Sequence, residues 1–229
     1  MNIDELRIIP VLKALTDEQL HFLLKSSHEK TCKKREIIFD PEEVNNYVIM
    51  LLQGRVRIYL AYPDGREFTI AFLEPGDVYS SHSGTFAEAM DHSRILFIET
   101  ATFFRFMLNN PAILITMVQV LGESLGNTIH IIENLAFLDV DKRLACFLLE
   151  AAHHKGTPSD DGTLINLGLT VEEIASAVGS SRQTASMLLN RWDKEGIIKH
   201  NRKSLLLLDM DKLNTLAGKV DYKTKMPKK

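Results

Sequence analysis

What the chain lacks narrows its class before any motif is read. Its two cysteines, Cys32 and Cys146, stand far apart and in no CxxC pattern, which leaves no ligand set for a zinc site or a cysteine-ligated iron–sulfur cluster. Both are expected to be structural thiols. No apolar run approaches the roughly 18 to 20 residues of a membrane span, and the opening MNIDELRIIP lacks a basic leader followed by an apolar core. The expectation is a cytoplasmic chain with no membrane partner. Positive charge is not in excess either: 27 Lys and Arg face 30 Asp and Glu, for a formal net charge of −3. That balance argues against a nonspecific DNA packer. Any affinity for DNA must come from local clusters such as Arg182, Arg191, Lys194, Lys199, Arg202 and Lys203. No GxSxG, P-loop, HExxH or paired-carboxylate motif is found, and His153 and His154 read as an exposed helix end, so no enzyme is expected.

What is present is concentrated at residues 170–198, TVEEIASAVGSSRQTASMLLNRWDKEGII, which read as two short helices joined by a glycine turn. Thr170 with Glu173 forms a capping box, and Val171, Ile174, Ala175 and Val178 give an apolar face before Gly179 stops the helix. Ser181 can cap the second helix. Its buried face would be Ala185, Leu188, Leu189 and Trp192, which leaves Arg182, Gln183 and Ser186 near the exposed N-terminal end. In a helix-turn-helix those are the side chains that reach base edges in the major groove, where Arg pairs with guanine and Gln with adenine. Gly196 can end the helix, and apolar runs at 197–200 and 205–208 flank the basic turn Asn201, Arg202, Lys203. Such a strand, turn and strand is where a winged helix carries its wing. Lys199, Arg202 and Lys203 are the phosphate candidates.

The first half has the period of strands. Val56, Ile58 and Leu60 alternate with Arg55, Arg57 and Tyr59; a Pro63, Asp64, Gly65 turn follows, then Phe68, Ile70 and Phe72 alternate on the far side, giving a β-hairpin. Residues 48–52 and 95–98 look like further buried strands, and Thr16 with Gln19 opens a short helix before them. The fold class is α+β: an antiparallel barrel or sandwich, then a winged helix-turn-helix. Between them a long helix is expected from about Pro111 to Phe137. Val118, Leu121, Leu125, Thr128, Ile132 and Leu135 recur along it at spacings of three and four, a coiled-coil seam. Read as an interface, the seam makes the protein a homodimer, the form in which a helix-turn-helix binds paired half-sites of double-stranded DNA; the other reading packs it on the barrel of its own chain. The expected domains are 1–110 for sensing, 111–137 for dimerisation, 138–219 for DNA binding and 220–229 as a basic tail. Residues 136–139 would be the hinge.

With GRVRIYL (54–60), EPGDV (74–78) and GSSRQT (179–184), this layout resembles the cyclic-AMP receptor/FNR (CRP/FNR) family of transcription regulators over nearly its whole length. The resemblance implies a cyclic-nucleotide-binding-like β-roll, promoter binding and RNA polymerase as a partner. In the cyclic-nucleotide members the loop after the Gly-Glu motif carries an Arg that holds the cyclic phosphate; here Gly76 and Asp77 are followed by no Arg until Arg94, so no cyclic nucleotide is expected. The FNR members need clustered N-terminal cysteines, which are missing. GDVYSSHSGTFAEAM (76–90), VLGESL (120–125) and SRQT (181–184) are instead similar to the CooA group of haem-containing carbon-monoxide sensors within the family.

That similarity implies a haem b cofactor with His82 as an axial ligand to its iron and Asn46 hydrogen-bonded to that histidine. It also places Val118, Leu121 and Gly122 beside the haem. The second ligand in this group is the N-terminal amine of the other subunit, displaced when CO, the effector, binds; here that amine belongs to Met1, followed by Asn2. The long helices then shift and swing the DNA domains about the hinge to activate transcription. The group's Cys two residues before the histidine is Ser80 here. The alternative is a regulator of the same family that senses another small molecule without haem, with His82 only lining its pocket.

Overall fold

A computed structural model describes residues 2–41, 46–81, 84–201 and 204–218, apart from the side chain of Ala112. Contacts divide the chain into Met1–His130 and Ile131–Lys229.

The first unit opens with α1 (Ile3–Leu6), a 3-10 turn (Pro10–Leu12) and α2 (Asp17–Lys25). The Thr16 capping box is formed: its hydroxyl accepts from the Gln19 backbone N–H, and the Gln19 side chain accepts from the Thr16 N–H at 2.9 Å. Eight strands follow: β1 (Ser27–Cys32), β2 (Ile37–Phe39), β3 (Tyr47–Gln53), β4 (Val56–Ala61), β5 (Glu67–Leu73), β6 (Val78–Ser80), β7 (Phe86–Ala89) and β8 (Ser93–Glu99). They pair antiparallel in two sheets, ordered β1-β8-β3-β6 and β2-β7-β4-β5. Helix α3 (Thr100–Leu108) follows, and α4 (Pro111–Phe137) starts in this unit and ends in the second.

β3 is a continuous apolar stretch because both of its faces are covered. Val48, Met50 and Leu52 join Leu6, Leu20, Leu23, Phe103 and Ile113 in a core beneath the helices. Ile49 and Leu51 join Phe39, Val56, Ile58 and Phe97 between the two sheets. The β4–β5 hairpin forms as expected, with a bulge at Ile58 and Tyr59. Its alternation is not a simple inside and outside, however. Arg57 and Tyr59 are buried along with Val56 and Ile58, and Leu60 is exposed. Arg57 is sealed by Glu67 at 2.7 Å, by the Thr69 hydroxyl at 2.8 Å and by the Tyr59 ring, whose centre lies 4.3 Å from its guanidinium carbon.

The second unit contains α5 (Val140–Lys155), the hairpin β9 (Gly156–Ser159) and β10 (Gly162–Ile165), α6 (Val171–Ala177), α7 (Arg182–Lys194), β11 (Ile198–His200), β12 (Leu205–Leu207) and α8 (Met210–Ala217). Its sheet runs β11-β12-β10-β9, all antiparallel. The wing strands are therefore extended by a second hairpin that the sequence reading did not anticipate. Ile174, Ala175, Ala185, Leu188, Leu189 and Trp192 are all buried, and α6 packs on α7. Among the described residues no helix is long and apolar enough to cross a membrane.

Candidate DNA-reading and effector sites

The helix-turn-helix is built by local chemistry. Thr170 accepts from the Glu173 N–H at 3.2 Å while the Glu173 carboxylate takes the Thr170 N–H at 2.6 Å, and Ser181 accepts from the Thr184 N–H at 3.1 Å. Gly179 turns the chain between the helices at φ 64°, a conformation in which a side chain would be strained. The turn leaves Arg182 and Gln183 exposed in the first turn of α7, with Ser186 partly exposed one turn on. Met187 and Asn190 continue that outward face, and the Asn190 amide donates to the Ser186 hydroxyl at 3.4 Å. Their spacing of four from Gln183 and Ser186 was the signal available in the sequence. Lys199 is exposed on β11. The next residue, His200, ties that strand to α7, its Nδ1 and the Asp193 carboxylate standing 2.9 Å apart. Arg202 and Lys203 lie outside the described residues, as does the basic tail.

A second cation, marked by no motif of the sequence, reaches into this turn. The Arg143 guanidinium on α5 donates to the carbonyls of Leu138 (2.7 Å), Val178 (2.8 Å) and Gly179 (3.0 Å). Burial draws its pKa below the ordinary arginine value, with Asp139 opposing that shift.

In the sensor unit, Asn46 is exposed just before β3, and its carbonyl accepts from the Thr100 N–H at 2.8 Å. Val48 pairs with Ser80 in the β3–β6 ladder. One residue on, the Ser81 hydroxyl accepts from the Tyr47 N–H and donates to the Tyr47 carbonyl, both at 3.1 Å. Ser81, the residue before His82, is thus held on Tyr47, the residue after Asn46, at one end of the sheet. His82 and Met1 themselves lie outside the described residues. A cavity of about 100 Å³ opens here, lined by His28, Tyr47, Ser81 and Phe97 among others. The motif at 74–78 docks on the other end of β3: the Gly76 N–H donates to the Leu51 carbonyl at 2.8 Å, and a β-carbon on Gly76 would stand 2.9 Å from the Ile8 carbonyl oxygen.

Two further observations bear on a ligand. Three arginines of the barrel are committed to carboxylates: Arg55 to Glu74 at 3.1 Å, Arg57 to Glu67, and Arg94 to Glu29 at 2.6 Å and Glu5 at 3.1 Å. Cys32 is fully buried between the sheets, and burial pushes its thiol pKa up. Among the described residues no group of three or more His, Cys, Asp or Glu side chains is placed to hold a metal ion.

The helix α4 presents two faces. Ile113, Met117 and Val120 pack on the barrel core. Val118, Leu121, Leu125, Thr128, Ile132 and Leu135 are all exposed, Val118 at 69% and Leu125 at 62%. The expected seam is thus not the stripe that packs on the barrel. Gly122 lies on the open side, where an added β-carbon would meet nothing within 4 Å, so no close crossing within the chain calls for a glycine.

The profile of a Crp-like helix-turn-helix domain matches residues 142–216, and that of a cyclic nucleotide-binding domain matches residues 29–110. Among solved structures, a mutant of CooA from Carboxydothermus hydrogenoformans is 38% identical, with a TM-score of 0.83 over 92% of this chain and 95% of that one. The chain belongs to the CRP/FNR family of transcription regulators. The imidazole-bound form of the CO-dependent transcription factor CooA from the same organism is 40% identical, with a TM-score of 0.52 over 90% of this chain and 95% of that one. A CRP-like cAMP-activated global transcriptional regulator of Mycobacterium tuberculosis is 28% identical over 183 residues, 77% of this chain and 82% of that protein. The family consists of DNA-binding regulators rather than enzymes, and the α+β layout of β-roll and winged helix-turn-helix is the family's own.

Proposed function

We propose that this regulator is a haem-dependent carbon-monoxide sensor: a homodimer joined through α4 whose gas-bound state fits its two reading helices to a palindromic promoter site and activates transcription with RNA polymerase. One observation carries the reading. The β3–β6 pairing and the Ser81–Tyr47 hydrogen bonds hold Ser81, directly before His82, on Tyr47, directly after Asn46, in a chain 38–40% identical to a CO-dependent transcription factor.

Haem b fits the residues at hand. The candidate donors are nitrogen donors, the His82 imidazole and the Met1 amine, and imidazole is a common haem ligand. Val118 and Leu121 offer an exposed apolar surface, and Gly122 adds no side chain that a flat macrocycle would have to avoid. When bound, haem iron supplies a coordination position that accepts CO. Asn46 fixes the orientation and tautomer of His82 by hydrogen bonding, and the apolar residues of α4 keep water from the site.

In the DNA domain Arg182, Gln183 and Ser186 contact bases, and Lys199, Arg202 and Lys203 contact phosphates. Val118, Leu121, Leu125, Thr128, Ile132 and Leu135 form the dimer seam, and the first two also adjoin the haem.

A second reading, the same regulator answering another small molecule, is favoured by the cyclic nucleotide-binding match at 29–110. Against a cyclic nucleotide stand Arg55, Arg57 and Arg94, which are already paired with carboxylates. The visible spectrum of the purified, reduced protein separates the readings. A haem band that shifts under CO supports the sensor, and protein free of haem when made in haem-sufficient cells favours the alternative.

A further inference from the structure

We propose that Arg143 is a coupling clamp, a positioning residue that makes the end of α4 and the helix-turn-helix move as one body. The joint it spans is short. α4 ends at Phe137 and α5 begins at Val140. The Leu138 N–H still donates to the Asn134 carbonyl, and the Arg143 N–H to the Asp139 carbonyl, both at 3.0 Å. The chain therefore leaves helical geometry at Asp139, where ψ is 162°. Left to itself, a break at one residue would be a free pivot.

Arg143 closes that pivot from the far side. Its guanidinium holds Leu138, the last residue before the break, together with Val178 and Gly179, which end α6 and begin the turn. Carbonyls at helix C-terminal ends lack partners within the helix and carry partial negative charge, which a cation with a rigid fork of donors satisfies. Three residues beyond Gly179 stands Arg182, the first residue of α7. The boundary between the two compact units falls at His130 and Ile131, within α4, so Leu138 lies in the same unit as the reading helix. Reorientation then takes place in α4 before Leu138, and it reaches the base-reading residues without being absorbed at residues 138–139. This rests on the regulator reading for its purpose but not for its geometry.

The test uses the full chain with Cys146 replaced by Ser and spin labels at Ala136→Cys and Glu172→Cys, on the end of α4 and on α6. Labelled chains are diluted into unlabelled ones so that distances within one chain are read. With Arg143 in place the distance distribution should be single and narrow. Arg143→Gln should broaden it at least twofold, and Arg143→Lys, which keeps the charge without the fork, should fall between. Circular dichroism confirms that each variant is folded; if Arg143→Gln does not fold, Arg143→Lys decides alone. A distribution as narrow in the folded variants as in the parent overturns the clamp. The ratio of affinities for a selected duplex with and without CO is measured alongside and should fall toward one in Arg143→Gln. A parent whose affinity ignores CO defeats the carbon-monoxide reading and leaves the distance result to judge the clamp.

Discussion

Met117 and Val118 are neighbours in sequence and opposite in environment: Met117 packs against the barrel core, while Val118 is 69% exposed. One helix therefore has its own-chain face and a separate uncovered apolar face, and a water-soluble chain seldom leaves so long a stripe bare. Leu125→Glu is expected to convert dimer to monomer in sedimentation and to weaken binding to a palindromic duplex far more than to a single half-site. A wild-type protein that is monomeric while holding DNA would remove the dimer from the account.

Arg182 stands exposed in the first turn of α7. Arg182→Ala should cost about 1–3 kcal/mol on the specific duplex and relax selection at one base per half-site. Loss of the same size on random DNA would mark a phosphate contact instead. For Lys199, replacement by Gln should reduce the slope of log affinity against log salt by about one, with little change in sequence preference.

The two capping boxes make a prediction about stability. Thr170 supplies one of the reciprocal bonds at the start of α6, a helix of seven residues with little else to nucleate it. Thr170→Ala should lower stability by about 1 kcal/mol, read as a lower midpoint in urea at unchanged slope.

Ser80 sets a spectroscopic expectation. A hydroxyl is a poor ligand, and Cys32, the one cysteine in residues 1–130, is enclosed between the sheets with its thiol pKa raised by burial. The oxidised haem protein should show no thiolate signature in electron paramagnetic resonance, and His82→Ala should alter the spectrum or abolish haem uptake. Thiolate character in the ferric protein would contradict both the role of Ser80 and the enclosure of Cys32.

Much of this architecture was legible because it is set by local chemistry. Thr16 with Gln19, Thr170 with Glu173, and Pro111 as the start of a helix ending at Phe137 are each decided within a few residues, and each stands where the sequence places it. The strands were harder. β1 reads SHEKTC and β9 GTPS, both at sheet edges with mostly exposed side chains, so neither carries an apolar period. On β4 the alternation misleads, because Arg57 is charged yet only 7% exposed, its charge met by Glu67 and by the face of Tyr59. Arg143 was invisible for another reason: all three of its partners are backbone carbonyls, two of them 35 and 36 residues away, which no side-chain pattern announces.

The most direct measurement is the affinity of the reduced, haem-loaded dimer for a duplex selected by the protein itself, taken with and without CO in the same preparation. The account predicts tight, sequence-selective binding with CO and binding close to the nonspecific level without it. Equal affinity in both conditions, with haem bound and the CO band present, would contradict it.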